Sequence, residues 1–312
     1  MTDLPSNSSV PFAEPSLEFR FPQRARAWQL RDQTLEFERT PHLMGIVNVT
    51  PDSFSDGGLY QALPAAVDHA LKLADEGADI LDVGGESTRP YAEVVDAAEE
   101  IRRVIPVIER ICKQSRIPVS IDTSKAEVAA RAIDVGAQII NDVTGLEGDP
   151  EMIALAVQSQ VGVCAMHMQG RPQTMQDCPQ YKNVVGDIEA YLKQRRDHLR
   201  TAGLETQRIC LDPGIGFGKT HQHNFTLMAQ CGTFHRLGCP LLVGHSRKGF
   251  LAKVLGDKET DRTFATVGAA LALARQGIQV IRVHDVRPVK DALLLFEATG
   301  GVDGCERQLD QP

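Results

Sequence analysis

The chain has 312 residues, of which 42% are hydrophobic and 24% are charged, and its formal net charge is −8. This is an ordinary globular composition, and the length suits one large domain, since single α/β barrels commonly run to about 250 residues. The acidic balance argues against nucleic-acid binding, which draws on lysine and arginine. No apolar run approaches the ~20 residues of a membrane span and no signal peptide is visible, so we expect no membrane partner and a cytoplasmic location.

The seven cysteines include no Cys-x-x-Cys pair, which favours reduced thiols over a zinc site. Residues 1–39 are predicted to be an N-terminal extension, partly mobile, because the first stretch is rich in Ser, Pro and Glu and has no hydrophobic periodicity. Residues 301–312 resemble it and are predicted to be a C-terminal tail. The segment 40–300 is predicted to be a single folded domain.

In that domain one pattern recurs: a short apolar run, a turn, and a helical pattern that often ends in glycine. The runs are LMGIVNV (43–49), DILDVGG (79–85), IPVSID (117–122), IINDV (139–143), GVCAMH (162–167), RICLDP (208–213), PLLVGHS (240–246) and VIRVHD (280–285). Such continuous runs are typical of parallel strands that are buried on both faces. Eight of these units predict a (β/α)8 TIM barrel, with a doubly wound open sheet as the structural alternative.

Polar residues stand at the carboxyl end of nearly every run, and in a barrel those ends meet at one mouth. In chain order they are Asn48, Asp82, Asp122, Asn141 with Asp142, His167, Asp212, Ser246 to Lys248, and Arg282 with His284 and Asp285. Capping of the following helix explains any single Asp, Asn or Ser. It does not explain cations at the same mouth, so the set as a whole predicts a polar ligand site.

Two subsets of this list suit different parts of a ligand. The acceptors and amide donors of Asp122, Asn141 and Asp212 can read the edge of a flat heterocycle, much as side chains read base edges. Positive charge comes from Arg89, Lys248, Arg282 and His284, which suits a phosphate or diphosphate. Asn48 offers a hard oxygen ligand that fits Mg²⁺, an ion that keeps most of its waters and relies on substrate phosphate.

Eight segments in order resemble dihydropteroate synthases. They are MGIVNVTPDSFSDGG (44–58), GADILDVGGESTRP (77–90), SIDTSK (120–125), INDVTG (140–145), MHMQGRPQTMQ (166–176), LDPGIGFGK (211–219), GHSRKGF (244–250) and RVHDV (282–286). The resemblance implies a TIM barrel, usually a homodimer, that condenses 6-hydroxymethyl-7,8-dihydropterin diphosphate with p-aminobenzoate. The products are 7,8-dihydropteroate and diphosphate, in folate biosynthesis, and such enzymes are sulfonamide targets.

The resemblance also implies residue roles. The pterin ring is expected to contact Asp122, Asn141, Asp212, Lys248, Phe217 and Met166. The diphosphate is expected at Asn48, Thr88, Arg89, Arg282 and His284, with Mg²⁺ at Asn48. The p-aminobenzoate pocket, which sulfonamides share, is expected at Phe54, Ser55, Pro90 and Ser246. The expected catalytic residues are Asp56, Lys248, Arg282 and His284, with Asp56 offsetting positive charge that develops during the reaction.

Two alternatives remain open at this stage. A pterin-dependent corrinoid methyltransferase domain shares the barrel and much of the pterin pocket. The SRK segment at 246–248 and the STRP and PDSFSDGG loops argue against it, since these serve diphosphate and p-aminobenzoate. A non-catalytic pterin-binding paralogue is the other alternative, and the intact set Asn48, Arg89, Lys248, Arg282 and His284 argues against that.

Overall fold

The computed structural model describes residues 16–50, 59–88, 93–172, 174–257 and 259–306. A short helix and an antiparallel pair of strands precede the repeating units: α1 (Leu17–Arg20), β1 (Ala27–Gln29) and β2 (Thr34–Glu36). The later strands are β3 (His42–Asn48), β4 (Ile80–Gly84), β5 (Val119–Asp122), β6 (Ile139–Asp142), β7 (Gly162–Met166), β8 (Ile209–Asp212), β9 (Leu242–Gly244) and β10 (Val280–Val283).

Helices alternate with these strands. They are α2 (Leu59–Asp75), α3 (Ala97–Gln114), α4 (Ala126–Asp134), α5 (Met152–Ser159), α6 (Val184–Thr201), α7 (His221–Gln230), α8 (Gly249–Leu255), α9 (Thr263–Arg275) and α10 (Val286–Ala298), with 3₁₀ helices at Thr206–Arg208 and Cys231–Leu237. Several begin at the capping residues that the sequence offers; the Asp96 carboxylate, for example, accepts the Glu99 N–H at 2.8 Å at the start of α3. None of the helices in the described ranges is both long and apolar enough to cross a membrane.

The eight strands β3–β10 form one parallel sheet in the order β8-β7-β6-β5-β4-β3-β10-β9. The two ends of that order meet, because the Leu211 N–H donates to the Pro240 carbonyl oxygen at 2.9 Å and Leu211 pairs with Leu241 in a parallel bridge. The sheet is therefore a nearly closed barrel. This confirms the predicted (β/α)8 fold and excludes the open doubly wound sheet.

Alternate residues of each strand point in opposite directions, which divides the apolar core in two. Outward-facing residues such as Leu43, Leu81 and Val283 pack against the helices in the larger cluster. The first inward-facing residues of the strands pack with the hairpin β1–β2 in a second cluster: Trp28, Leu30, Phe37, Met44, Ile80, Ile139, Cys164, Cys210, Leu242 and Val280. The hairpin thus covers the amino-terminal end of the barrel, which we call the floor.

Trp28 fixes the hairpin on the floor. Its side chain is fully buried, and its indole N–H donates to the Arg208 carbonyl oxygen at 3.0 Å. Arg208 in turn donates to the Leu30 carbonyl oxygen at 2.7 Å. Glycine at 162 makes room, because a Cβ there would lie 2.8 Å from Leu30 Cδ2. Residues 16–39, predicted to belong to the extension, therefore contribute core contacts, while the boundaries at 39 and 300 stay predictions.

Candidate active site

Along β4, β6 and β8 the barrel interior changes from apolar to polar within one residue pair. Ile80 is followed two residues later by Asp82, Ile139 by Asn141, and Cys210 by Asp212. Since residues two apart in a strand point to the same side, the three polar side chains lie above the floor, toward the carboxyl ends of the strands. All three are buried, with exposed fractions of 0%, 5% and 6%.

Arg282, on β10, links two carboxylates across this interior. Its Nε donates to Asp82 Oδ2 at 2.6 Å, and its Nη2 donates to Asp122 Oδ2 at 2.7 Å. Burial lowers the pKa of Arg282, but the two carboxylates outweigh it and hold that pKa above its ordinary value. The guanidinium is therefore a permanent cation, already held in place before any ligand is considered.

Asp122 and Asp212 are buried carboxylates near positive charge. Burial raises the pKa of Asp122, and Arg282 opposes that rise. Burial also raises the pKa of Asp212, against the Gly214 N–H, which donates to its Oδ1 at 2.7 Å, and against Lys248. Both can still accept from a ligand, because a carboxylate carries about four acceptor sites.

The loop after β8 brings Phe217 and Lys248 together. Gly214 has φ +67°, and a Cβ there would collide with the His167 carbonyl oxygen, so only glycine allows this close approach. The Lys248 ammonium lies 4.6 Å from the centre of the Phe217 ring and donates to the Ile215 carbonyl oxygen. Burial lowers the pKa of Lys248 to about 8, partly offset by Asp212. The pair offers a charged donor beside an aromatic face.

Lys219 supports the same loop from below. Its side chain is 2% exposed, and its Nζ contacts His167 Nδ1 at 3.0 Å and the Phe217 carbonyl oxygen at 2.8 Å. Burial lowers the pKa of His167 to about 3, so the imidazole is neutral and Nδ1 accepts from Lys219 Nζ. Burial also holds the pKa of Lys219 well below its ordinary value. His167 stands at a strand end in the sequence, and in the structure its ring contacts Lys219, which supports the loop.

Asn48 and His284 line a neighbouring cavity of about 600 Å³ between α2 and α10, together with Arg247. The Ser246 hydroxyl oxygen accepts the His284 backbone N–H at 3.2 Å and lies 3.0 Å from its Nδ1. In the tautomer with its hydrogen on Nε2, Nδ1 accepts from the Ser246 O–H. His284 then presents an N–H suited to an anionic oxygen.

Two of the remaining predicted site residues, Met166 and Thr88, lie in the described part of the chain. Met166 ends β7, buried, beside Gly214, and Thr88 is half-buried just after β4. The other members of the predicted site lie outside the described residues: Phe54, Ser55, Asp56, Arg89 and Pro90.

The structure also adds contacts that the sequence did not assign. Asp82 was recognised as a strand-end residue but was given no role, although its position two residues after buried Ile80 was a usable signal. Lys219 gave no signal, because a lysine after a glycine-rich turn normally points to solvent. Arg247 and Asp285 were recognised as strand-end residues, but nothing in the sequence indicated the bidentate pair between them, at 2.9 and 2.5 Å.

Comparisons with known proteins agree with this arrangement. The sequence profile of the family described as pterin binding enzymes matches residues 44–284. The dihydropteroate synthase of Escherichia coli (strain K12) is 45% identical over 259 residues, which cover 83% of this chain and 92% of that protein. The chain belongs to the dihydropteroate synthase family.

Solved structures of dihydropteroate synthases share the fold. That of the Yersinia pestis enzyme with a sulfonamide drug complex superposes with a TM-score of 0.82 at 40% identity, covering 88% of this chain and 98% of that one. The Xanthomonas albilineans dihydropteroate synthase in complex with 7,8-dihydropteroate gives 0.79 at 40% identity, with the same coverage. The family assignment therefore applies to nearly the whole of the barrel.

Proposed function

We infer that this protein is a transferase that condenses 6-hydroxymethyl-7,8-dihydropterin diphosphate with p-aminobenzoate. The products are 7,8-dihydropteroate and diphosphate, which places the protein in folate biosynthesis and among sulfonamide targets. The observation that carries this conclusion is the group of Asp122, Asn141, Asp212 and Lys248 inside the barrel of a dihydropteroate synthase family member. Two acids, an amide and a charged donor beside an aromatic ring suit a flat heterocycle with several N–H groups.

The residue roles follow as proposals. Asp122, Asn141 and Asp212 accept from ring and amino N–H groups, while Lys248 donates to a ring acceptor and Phe217 and Met166 enclose the faces. His284, polarised by Ser246, holds the diphosphate with Arg282. Thr88 and Arg89 complete the diphosphate site, and Phe54, Ser55 and Pro90 the p-aminobenzoate pocket.

In the reaction, the carbon–oxygen bond to diphosphate breaks, the p-aminobenzoate nitrogen forms a bond to the pterin methylene carbon, and the nitrogen then loses a proton. The electron-rich pterin can stabilise a cation at that carbon, so an SN1-like path is proposed. The protein stabilises the departing charge and holds the amine in line. An aryl amine is neutral near pH 7, so no strong base is needed, and Asp56 is proposed to offset the developing positive charge.

Asn48 is the proposed Mg²⁺ ligand. Asn48 is the last residue of β3 and lines the same cavity as His284. Within the described ranges, no group of three or more His, Cys, Asp or Glu side chains could hold a metal alone. One amide oxygen fits an ion that is bound mainly through substrate phosphate and water, and Mg²⁺ there would neutralise charge on the leaving diphosphate.

A homodimer and a cytoplasmic location are also proposed. Helices α8, α9 and α10 carry large apolar side chains that are mostly exposed: Val254 at 69%, Phe264 at 84% and Leu295 at 67%. Where such side chains form one contiguous patch, the surface is of the kind that associates. Light scattering should give twice the chain mass for the wild type and a smaller mass for Phe264→Glu; a monomeric wild type would contradict the proposal. All seven cysteines are free thiols, in keeping with a reducing compartment.

Product formation tests the function. Pterin diphosphate and labelled p-aminobenzoate should give labelled dihydropteroate that depends on Mg²⁺ and is suppressed by a sulfonamide, and Asp212→Asn should lower the rate. Folded protein that binds the pterin but forms no product would favour the methyltransferase or the non-catalytic alternative.

A further inference from the structure

Asp82 is the most deeply buried charged group in the barrel interior, and one of its atoms serves two residues. Oδ2 accepts from Arg282 Nε at 2.6 Å and from Asn141 Nδ2 at 3.1 Å. The residue lies inside β4, which continues to Gly84, so it does not cap a helix. Its side chain has no exposed surface.

Through these bonds Asp82 ties together four strands. Arg282 (β10) continues to Asp122 (β5), and Asn141 (β6) lies opposite Asp122 in the sheet register. Three residues proposed to contact the substrate are therefore in direct or one-step contact with a residue that has no proposed contact with it.

The Asp82 carboxylate is not explained by a contribution to folding stability. Asp82 Oδ1 is buried and has no hydrogen-bond partner among the residues that the structure describes. A buried charge that is only partly satisfied costs folding free energy, and apolar residues of similar volume are often at least as stable as a buried ion pair. A role at the site accounts for a group that the fold alone does not require.

Asp82 also decides which way Asn141 faces. An ionised carboxylate only accepts, so the Asn141 group beside it is the amide NH₂, and the Asn141 oxygen points elsewhere in the interior. Asn141 is thereby an acceptor and requires an N–H on its ligand. Without the charge at 82, the amide could rotate and present a donor instead.

We propose that Asp82 is the positioning residue of this site, holding Arg282 against Asp122 and fixing Asn141 as a hydrogen-bond acceptor for the pterin. The proposal rests on the proposed function, since it names the groups that Asp82 arranges for that substrate.

The pKa of Asp122 can be followed in the pH profile of the reaction. This profile should not change if Asp82 only stabilises the fold. The charged groups that act on Asp122 are Arg282 (β10), Asp82 (β4), Glu100 (α3), Asp142 (β6) and Lys248. The charge of Asp82 raises the pKa of Asp122, so Asp82→Asn should lower the pKa of Asp122. In that variant Arg282 would no longer divide its charge between two carboxylates, and its stronger pairing with Asp122 would lower the same pKa further. The acid limb of kcat/KM should therefore move to lower pH.

The experiment compares Asp82→Asn with Asp79→Asn, a carboxylate on the same chain segment at the floor. For Asp82→Asn we expect the KM for pterin diphosphate to rise at least roughly tenfold, the KM for p-aminobenzoate to change less than about twofold, and the acid limb to shift downward. Calorimetry should show a matching loss of dihydropteroate affinity. Asp79→Asn should stay within about twofold in every kinetic constant.

A second variant, Asp82→Glu, keeps the charge but displaces the carboxylate; it should raise the pterin KM while the acid limb stays near the wild-type pH. An Asp82→Asn protein with wild-type pterin KM and pH profile would overturn the proposal. So would two insoluble residue-82 variants beside a soluble Asp79→Asn, which would assign Asp82 to the fold. Failure of the proposed function is separate, because the wild-type protein itself would then form no product, whether or not it binds dihydropteroate.

Discussion

The two ends of the barrel interior are built on the same strands and do opposite things. At the floor, Met44, Ile80 and Cys210 pack against Trp28 in a fully apolar cluster. One residue pair further along, the buried Asp82 accepts from Arg282, and the charge of buried Asp212 also acts on that guanidinium. The floor stabilises the fold, and the polar layer gives up some stability to hold groups in position. Changes at the two ends should therefore separate stability from activity.

The largest effect is expected at the floor. Trp28→Ala removes a fully buried side chain and leaves the Arg208 carbonyl oxygen without its indole donor, so the free energy of unfolding should fall by about 3–5 kcal/mol. Urea denaturation measures this, with Phe19→Ala, a change at a 78%-exposed side chain, as the control. If folded Trp28→Ala lost more than roughly tenfold in kcat/KM, the floor would not be separate from the site.

Arg282→Ala tests the polar layer. The variant loses a charged contact to the leaving diphosphate and leaves Asp82 and Asp122 without their cation, so turnover should fall at least roughly tenfold. Steady-state kinetics on folded protein measures it, beside exposed Arg110→Ala as the matched arginine control. A fully active variant would remove Arg282 from the diphosphate site.

Lys248→Met separates charge from packing at the pterin pocket. Methionine keeps contact with Phe217 but cannot donate, so the KM for pterin diphosphate should rise roughly tenfold while the KM for p-aminobenzoate changes little. An unchanged pterin KM would argue against a bond from Lys248 to the ring.

The same variant has a pH signature in stability. The pKa of Lys248 is about 8 in the folded protein against 10.5 for an ordinary lysine, so between these values the unfolded chain binds more protons. The contribution of Lys248 to the free energy of unfolding therefore rises with pH across that window. The wild type should become more stable relative to Lys248→Met as the pH is raised through it. A stability difference that stayed flat across that window, from about pH 8 to 10.5, would mean that the ammonium is solvated.

The smallest effect is expected for Asp79→Asn. Burial raises the pKa of Asp79, but hydrogen bonds from His42 and the Leu43 N–H outweigh it and hold the pKa below its ordinary value. The carboxylate thus stabilises the fold above its unfolded pKa, by about 1–2 kcal/mol at neutral pH, and this contribution disappears on acidification. Unfolding of both proteins at about pH 7 and about pH 3 checks it; a difference that persists in acid would contradict the ionic origin.

The sequence predicted much of the site because strand ends can be read locally. Asn48, Asp122, Asp212 and Arg282 stand at the ends of apolar runs, and parallel strands in a barrel bring such ends to one mouth. Local patterns could not separate neighbours such as Asn141 and Asp142. Asn141 faces the interior, while Asp142 accepts the Thr144 and Leu146 N–H groups as a turn cap.

Contacts between residues far apart in the chain also could not be predicted from the sequence. Arg282 was predicted to bind diphosphate, and nothing near it in the chain points to Asp82, 200 residues away. Ser246 was assigned to p-aminobenzoate, whereas in the structure its hydroxyl contacts His284. Both assignments stay predictions, since neither contact excludes the expected ligand.

By itself the sequence determined the eight β/α units, their order and the polar ends of the strands, because continuous apolar runs and turn chemistry are local properties. Only the tertiary structure decided which charges meet. Closure of the sheet places β10 beside β3 and aims Arg282 at Asp82 and Asp122. It also decided that the hairpin at 27–36 seals the floor, since contacts between segments so far apart depend on the closed barrel and not on neighbouring residues.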